Sequence, residues 1–198
     1  MNPSQGQMPQ DELKDDELIR KAQQGDLRSF DVLVRRYQRK IYFVAYRMVK
    51  SHDAADDVAQ ETFINAYGAI KSFKIGRNLY TWLYRICMNL AINHLKRSKF
   101  MVSESQFEER TSPLEREAAA SDPAEDFASR ELERKIEQAI DSLPPKHKAV
   151  LVLRVYEDLS YEEIAQTLKI SVGTVMSRLF RARARLQEML KGYKEQAS

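Results

Sequence analysis

Between about Ser98 and Ala128 the hydrophobic periodicity that organises the rest of the chain disappears. The stretch SESQFEERTSPLEREAAASDPAEDFA carries Pro113, Pro123 and more Asp and Glu than Arg. Such a composition buries too little apolar surface to offset the entropy lost on ordering. Residues 98–129 therefore read as a flexible acidic linker between two folded domains, 1–97 and 130–198. Gly and Pro are scarce at six each while charged residues reach 31%, which favours helices over sheets. The expected fold class is all-α, with two small helical domains.

In the first domain, residues 1–10 read as a polar tail and the first helix is expected from near Asp11. After the turn QQGD, Phe30, Leu33, Val34, Tyr37, Ile41, Val44 and Met48 recur at three- and four-residue intervals, one face of a long helix. Ser51 is a candidate N-cap for the next helix, whose stripe is Ala55, Val58, Ala59, Thr62, Phe63, Ala66 and Ile70. A connector, KSFKIGRN, leads into a helix with Leu79, Leu83, Ile86 and Leu90 inward, expected to end on Lys96, Arg97 and Lys99. The second domain resumes with SRELERKIEQAIDSL, stops at Pro144 and restarts on Pro145, a favoured first-turn residue.

The segment SYEEIAQTLKISVGTVMSRLFRARARL, Ser160 to Leu186, is the most informative. Ser160 with Glu163 three residues on is a capping box. Ser171 can cap again after the Leu168–Lys169–Ile170 turn. Val172, Val175 and Leu179 then face the first helix while Thr174, Ser177, Arg178 and Arg181 face away, a helix-turn-helix pattern. The second helix of such a pair fits the major groove, base edges meeting its first turns and phosphates the arginines Arg178, Arg181, Arg183 and Arg185. The plainer alternative is a solvated basic face of an ordinary amphipathic helix.

FKIGRNLYTWLYRICMNLAINHLKRSK interleaves Phe73, Tyr80, Trp82 and Tyr84 with Lys74, Arg77, Arg85, Lys96 and Arg97. Rings stack only on unpaired bases, whereas cations follow the backbone of either form, so the mixture hints at single strands. Core packing explains the same rings, Trp82 in particular. Asn89 and Asn93 share a helix face with Arg85 and Lys96, and an asparagine can read a base edge as donor and acceptor together.

Asp53, Asp56, Asp57 and Glu61 allow a metal-dependent reading, but no neighbouring His or Lys completes a catalytic constellation, and the helix dipole accounts for acids in a first turn. An exposed Asp57, Gln60, Glu61 ridge suits a protein partner better. A single cysteine, Cys87, and three scattered histidines, His52, His94 and His147, offer no zinc spacing, so no metal and no cofactor are expected. With no long apolar run and no secretory start, the chain reads as cytoplasmic without membrane insertion. A net charge of +3 is too mild to indicate a partner by itself.

Taken in order, DVAQETFINAY, YTWLYRI, LPPKHKAVLVLR, LSYEEIA and GTVMSRLFRARARL resemble the bacterial sigma factors of the extracytoplasmic-function type, over roughly Asp16 to Leu190 without the linker. The resemblance implies a non-enzymatic subunit that directs core RNA polymerase to promoters and helps melt them. Its first domain would be a region-two-like reader of the −10 element and its second a region-four-like reader of the −35 element. It implies that Asp57, Gln60 and Glu61 meet the clamp helices of the largest polymerase subunit, with a further contact at the flap. Asn89 and Asn93 would serve the −10 element, together with Phe73, Lys74, Asn78, Tyr80, Trp82 and Lys96, the Phe73–Leu79 loop holding a flipped base. Thr174, Ser177, Arg178, Phe180 and Arg181 would serve the −35 element. Met176 departs from the family pattern, where Lys or Arg is frequent. Family members are commonly held inactive by an anti-sigma factor and serve stress responses. About 30 linker residues at roughly 3.3 Å each reach about 100 Å, more than the roughly 70 Å of two duplex turns. A stand-alone helix-turn-helix regulator and a metal-dependent nucleic-acid enzyme are the competing readings.

Overall fold

The computed structural model describes residues 14–102 and 123–196. The chain divides into two compact units, Met1–Ala91 and Ile92–Ser198. The described residues are helical throughout, with connecting turns and no strand.

The first unit opens with α1, Asp15–Gln23, with Asp15, Asp16 and Glu17 at its positive end and Arg20 and Lys21 in its last turn, each favoured by the helix dipole. The expected start near Asp11 lies outside the described residues. Gly25 at φ +99° makes the turn, a conformation that disfavours a side chain. Asp26 then caps α2, Leu27–Val49, accepting from the Arg28 backbone N–H at 3.0 Å and the Ser29 hydroxyl at 2.7 Å. These bonds, that of Ser29 foremost, hold the Asp26 carboxyl below its ordinary pKa. Ser51 caps α3, His52–Ala69, as its position predicts. One 3₁₀ turn, Ile70–Ser72, and a loop lead to α4, Leu79–Val102.

Leu18, Ile19, Leu33, Ile41, Val44, Met48, Leu83, Tyr84 and Met88 fill the core of this unit. Asp15 braces α1 on α2 through a 2.7 Å ion pair with Arg36 and a hydrogen bond from the Tyr37 hydroxyl. Burial, and next that carboxylate, push the Tyr37 phenol well above its usual pKa. The only buried Thr of α3, Thr62, satisfies its hydroxyl on the Val58 carbonyl at 2.7 Å.

The second unit is built on α5, Pro123–Asp141, α6, Pro145–Val155, α7, Tyr161–Leu168, and α8, Val172–Gln196. Pro145 occupies the first turn of α6, where its missing N–H costs nothing. Ile140, Leu143, Val150, Leu153, Ile164, Val175, Leu179 and Ala182 form its core. Lys148 is buried and pairs with Asp141 at 2.8 Å, tying α6 to the end of α5.

Helix extends into both ends of the expected linker. α4 continues past Lys99 to Val102, because Phe100, Met101 and Val102 contain no helix breaker. Pro123 opens α5, since proline is as much a first-turn residue as a loop marker. The middle of the expected linker, 103–122, lies outside the described residues.

Candidate nucleic-acid interface

In the second unit the local sequence fixes the helix pair at four points. The Ser160 hydroxyl accepts from the Glu163 backbone N–H at 3.2 Å, while the Glu163 carboxylate accepts from the Ser160 N–H at 2.8 Å. This reciprocal cap lowers the pKa of the Glu163 carboxyl, the Ser160 backbone bond contributing most. Lys169 adopts the left-handed conformation at φ 52° to end α7, and the Ile170 N–H closes the turn on the Ala165 carbonyl at 3.0 Å. Ser171 then caps α8 through the Thr174 N–H at 3.1 Å and meets the Thr174 hydroxyl at 2.8 Å.

With α8 seated by Val175, Leu179 and Ala182, its remaining residues fall into stripes. Thr174, Arg178, Arg181 and Arg185 recur at three- and four-residue spacing along one side, with Thr174 and Arg178 half-buried and Arg181 and Arg185 exposed. Met176, Phe180 and Arg183 run along another, all exposed, and Ser177 lies between. The Ser177 hydroxyl donates to the Thr174 carbonyl at 3.0 Å, which leaves its oxygen oriented for an incoming donor. His147, half-buried near the start of α6, has its pKa lowered by burial and then by Arg181, Arg178 and Arg185. Its imidazole therefore stands beside the arginine stripe, inside its positive field.

Helix α4, which begins in the first unit and runs past its boundary at Ala91, carries a second polar face. Asn89, Asn93, Lys96 and Arg97 are exposed along α4, at spacings that put Asn89, Asn93 and Lys96 on one side. Lys74, Arg77 and Asn78 are exposed on the loop before it. Asn78 also caps α4, its side-chain oxygen accepting from the Thr81 N–H at 3.2 Å. The loop is pinned from α1: Gln23 donates to the carbonyls of Ile70 and Phe73 at 2.9 and 2.8 Å, and Asp16 accepts from the Gly76 N–H at 3.3 Å. A pocket of about 430 Å³ results, lined by Asp15, Asp16, Tyr37, Gly76, Arg77 and Asn78.

The rings are arranged less openly than their interleaving with cations suggests. Phe73 is buried, its ring centroid 5.0 Å from that of Trp82, and Trp82 is half-buried. Tyr80, also half-buried, stands 3.9 Å from Tyr84 and 5.7 Å from Tyr37, with the Lys40 ammonium 4.9 Å from its ring.

On α3, Asp57, Gln60 and Glu61 are exposed as expected. Beside them lies a feature the sequence reading missed: an apolar groove of about 770 Å³ between α2 and α3, lined by Phe30, Val34, Tyr42, Phe63, Ile64 and Tyr67. Ile64 is 62% exposed, so the groove is an open apolar surface. The signal was present in Ile64 and Tyr67, apolar residues that lie off the inward stripe of α3. No group of three or more His, Cys, Asp or Glu side chains is placed to hold a metal among the described residues. No described helix is long and apolar enough to cross a membrane.

The family described as Sigma-70 region 2 matches residues 33–100, and Sigma-70, region 4 matches 133–186. The chain is 40% identical to the RNA polymerase sigma-H factor of Pseudomonas aeruginosa over 181 residues, covering 89% of this chain and 94% of that protein. It is 39% identical to the ECF RNA polymerase sigma-E factor of Haemophilus influenzae, covering 91% and 97%. Among solved structures, the fold is similar to the sigma factor RpoE of Bartonella quintana, determined in complex with the anti-sigma factor NepR, with a TM-score of 0.64, 26% identity and coverage of 83% and 98%.

Proposed function

Because this chain belongs to the extracytoplasmic-function sigma factors, we propose that it recruits core RNA polymerase to its promoters, recognises them at two DNA elements and helps separate the strands between. The polymerase supplies the chemistry and this chain acts as its specificity subunit. Its setting is the cytoplasm.

In the second unit, Thr174, Ser177, Arg178, Phe180 and Arg181 address the major groove of the −35 element, with α8 held at its entry angle by the caps on both helices. On α4, Asn89, Asn93 and Lys96 lie along the −10 strand. The loop bearing Lys74 and Asn78 presents its pocket to an unstacked base, whose extrusion costs only a few kcal/mol. Asp16, whose carboxylate also accepts from the Gly76 N–H, supplies an acceptor there for an exocyclic amino group. Phe73 acts from behind, bracing Trp82, while Tyr80 and Trp82 offer ring edges to the melted strand.

Asp57, Gln60 and Glu61 meet the clamp helices of the largest polymerase subunit, the acids steering and the neighbouring apolar groove supplying buried area. The second unit touches the flap. An anti-sigma factor holds the protein inactive by covering these surfaces, in keeping with the complex in which the similar RpoE was solved.

The observation that carries this reading is the pairing, in one chain, of a groove-sized helix, capped by Ser171 and set behind a capped α7, with a separate Asn- and Lys-bearing face. Added to sigma-free core polymerase, the protein should start RNA synthesis at discrete sites. Tight duplex binding without stimulation would instead indicate a stand-alone regulator. Gln60→Ala with Glu61→Ala should weaken polymerase association at least tenfold while leaving the affinity of the full chain for duplex DNA unchanged, and loss of both together would refute the division of roles.

A further inference from the structure

Among the described residues, nothing buries the apolar stripe on α8. Met176 is 54% exposed and Phe180 74% exposed, although Val175, Leu179 and Ala182 beside them are buried. The two side chains lie one turn apart, on the same side of the helix, and the arginine stripe lies across Ser177 from them. Two large apolar groups left in water beside a stripe of Arg178, Arg181 and Arg185 call for an apolar partner carried by a polyanion.

Duplex DNA offers one such group in the major groove, the C5-methyl of thymine; every other base edge there presents a hydrogen-bond donor or acceptor. Met176 is the fifth residue of α8 and so belongs to the turns that reach base edges, whereas Phe180, one turn further, sits nearer the groove wall. Methionine suits the task, because its unbranched thioether adapts to a small apolar target without a hydrogen bond to satisfy.

We propose that Met176 reads a thymine methyl in the −35 element, with Phe180 covering the contact from water. Arg178 and Arg181 hold α8 against phosphate while Met176 discriminates. The inference deepens the proposed function and rests on it. It makes the chain prefer T over C at one position, because cytosine presents an amino donor in the same groove and no methyl.

The test uses the holoenzyme on a promoter obtained by mapping transcript start sites. Each thymine of the −35 element is replaced in turn by deoxyuridine, which removes the methyl and nothing else. At one position the substitution should weaken binding about fourfold, the worth of one buried methyl-sized group. With Met176→Ala the T-to-dU ratio at that position should fall to about one, and Met176→Leu should restore part of it. The exposed position leaves the fold of both variants intact, which a superimposable circular dichroism spectrum checks.

If no thymine in the element is sensitive, or if Met176→Ala leaves the ratio unchanged while promoter-directed transcription persists, the methyl contact is wrong and the proposed function stands. If the protein directs no transcription from core polymerase at all, the reading beneath it falls too.

Discussion

Arg178, Arg181 and Arg185 lie on one stripe of α8, at three- and four-residue spacing. A cation that neutralises a DNA phosphate releases a condensed counterion and adds about 0.9 to the slope of log affinity against log salt. Three such cations contribute a slope of about −2.7, so a fourfold rise in salt, from about 50 to about 200 mM, weakens binding roughly 40-fold through them alone. Each one removed lessens that loss by a factor of about 3.5. The measurement is fluorescence anisotropy of the full chain on a labelled duplex of arbitrary sequence, repeated over that salt range. Arg181→Gln should reduce the slope by about 0.9, and the triple glutamine variant by about 2.7. Other phosphate contacts add a constant that cancels in the comparison. If the triple variant keeps the parent slope, the stripe does not lie against the backbone, and the orientation argued for α8 is wrong whatever happens to the affinity.

Two further outcomes follow from the second unit. Ser160→Ala removes the hydroxyl half of the capping box and should destabilise this unit by about 1 kcal/mol, read as a lower urea midpoint with an unchanged slope; an unshifted midpoint would show that the cap contributes nothing. His147 has a pKa depressed in the folded state, so its contribution is fully present above the ordinary value near 6.5 and is lost as pH falls through the lower folded value. Thermal unfolding of His147→Gln should therefore be less sensitive to acidification in that window than that of the parent chain, and identical pH profiles would show that burial and the arginines do not hold the imidazole neutral.

The helix-turn-helix was legible because its signals are local. Ser160 with Glu163, and Ser171 at the head of α8, act within one turn of themselves, so each cap could be named and then found at hydrogen-bond distance. The α2/α3 groove was not legible, since periodicity marks Phe30, Val34 and Phe63 as apolar and inward without saying that a channel stays open between their helices. The same limit applies to Phe73, which sequence alone could place on DNA or in the core and which packs against Trp82. The Asp16 to Gly76 hydrogen bond joins residues 60 positions apart, beyond the reach of any local pattern. At the linker, Pro113 and Pro123 looked alike as helix breakers, yet the second opens α5, because the same ring that ends a helix starts one when it falls in the first turn.

Gln23 grips the carbonyls of Ile70 and Phe73 from another helix, so the geometry of residues 70–79 is not encoded by residues 70–79. Moving that decapeptide into a relative to borrow its promoter preference would transfer the letters without the hand that shapes them. The portable unit is the loop together with Gln23 and Asp16, and a chimera that leaves those two behind should inherit the host's preference or none.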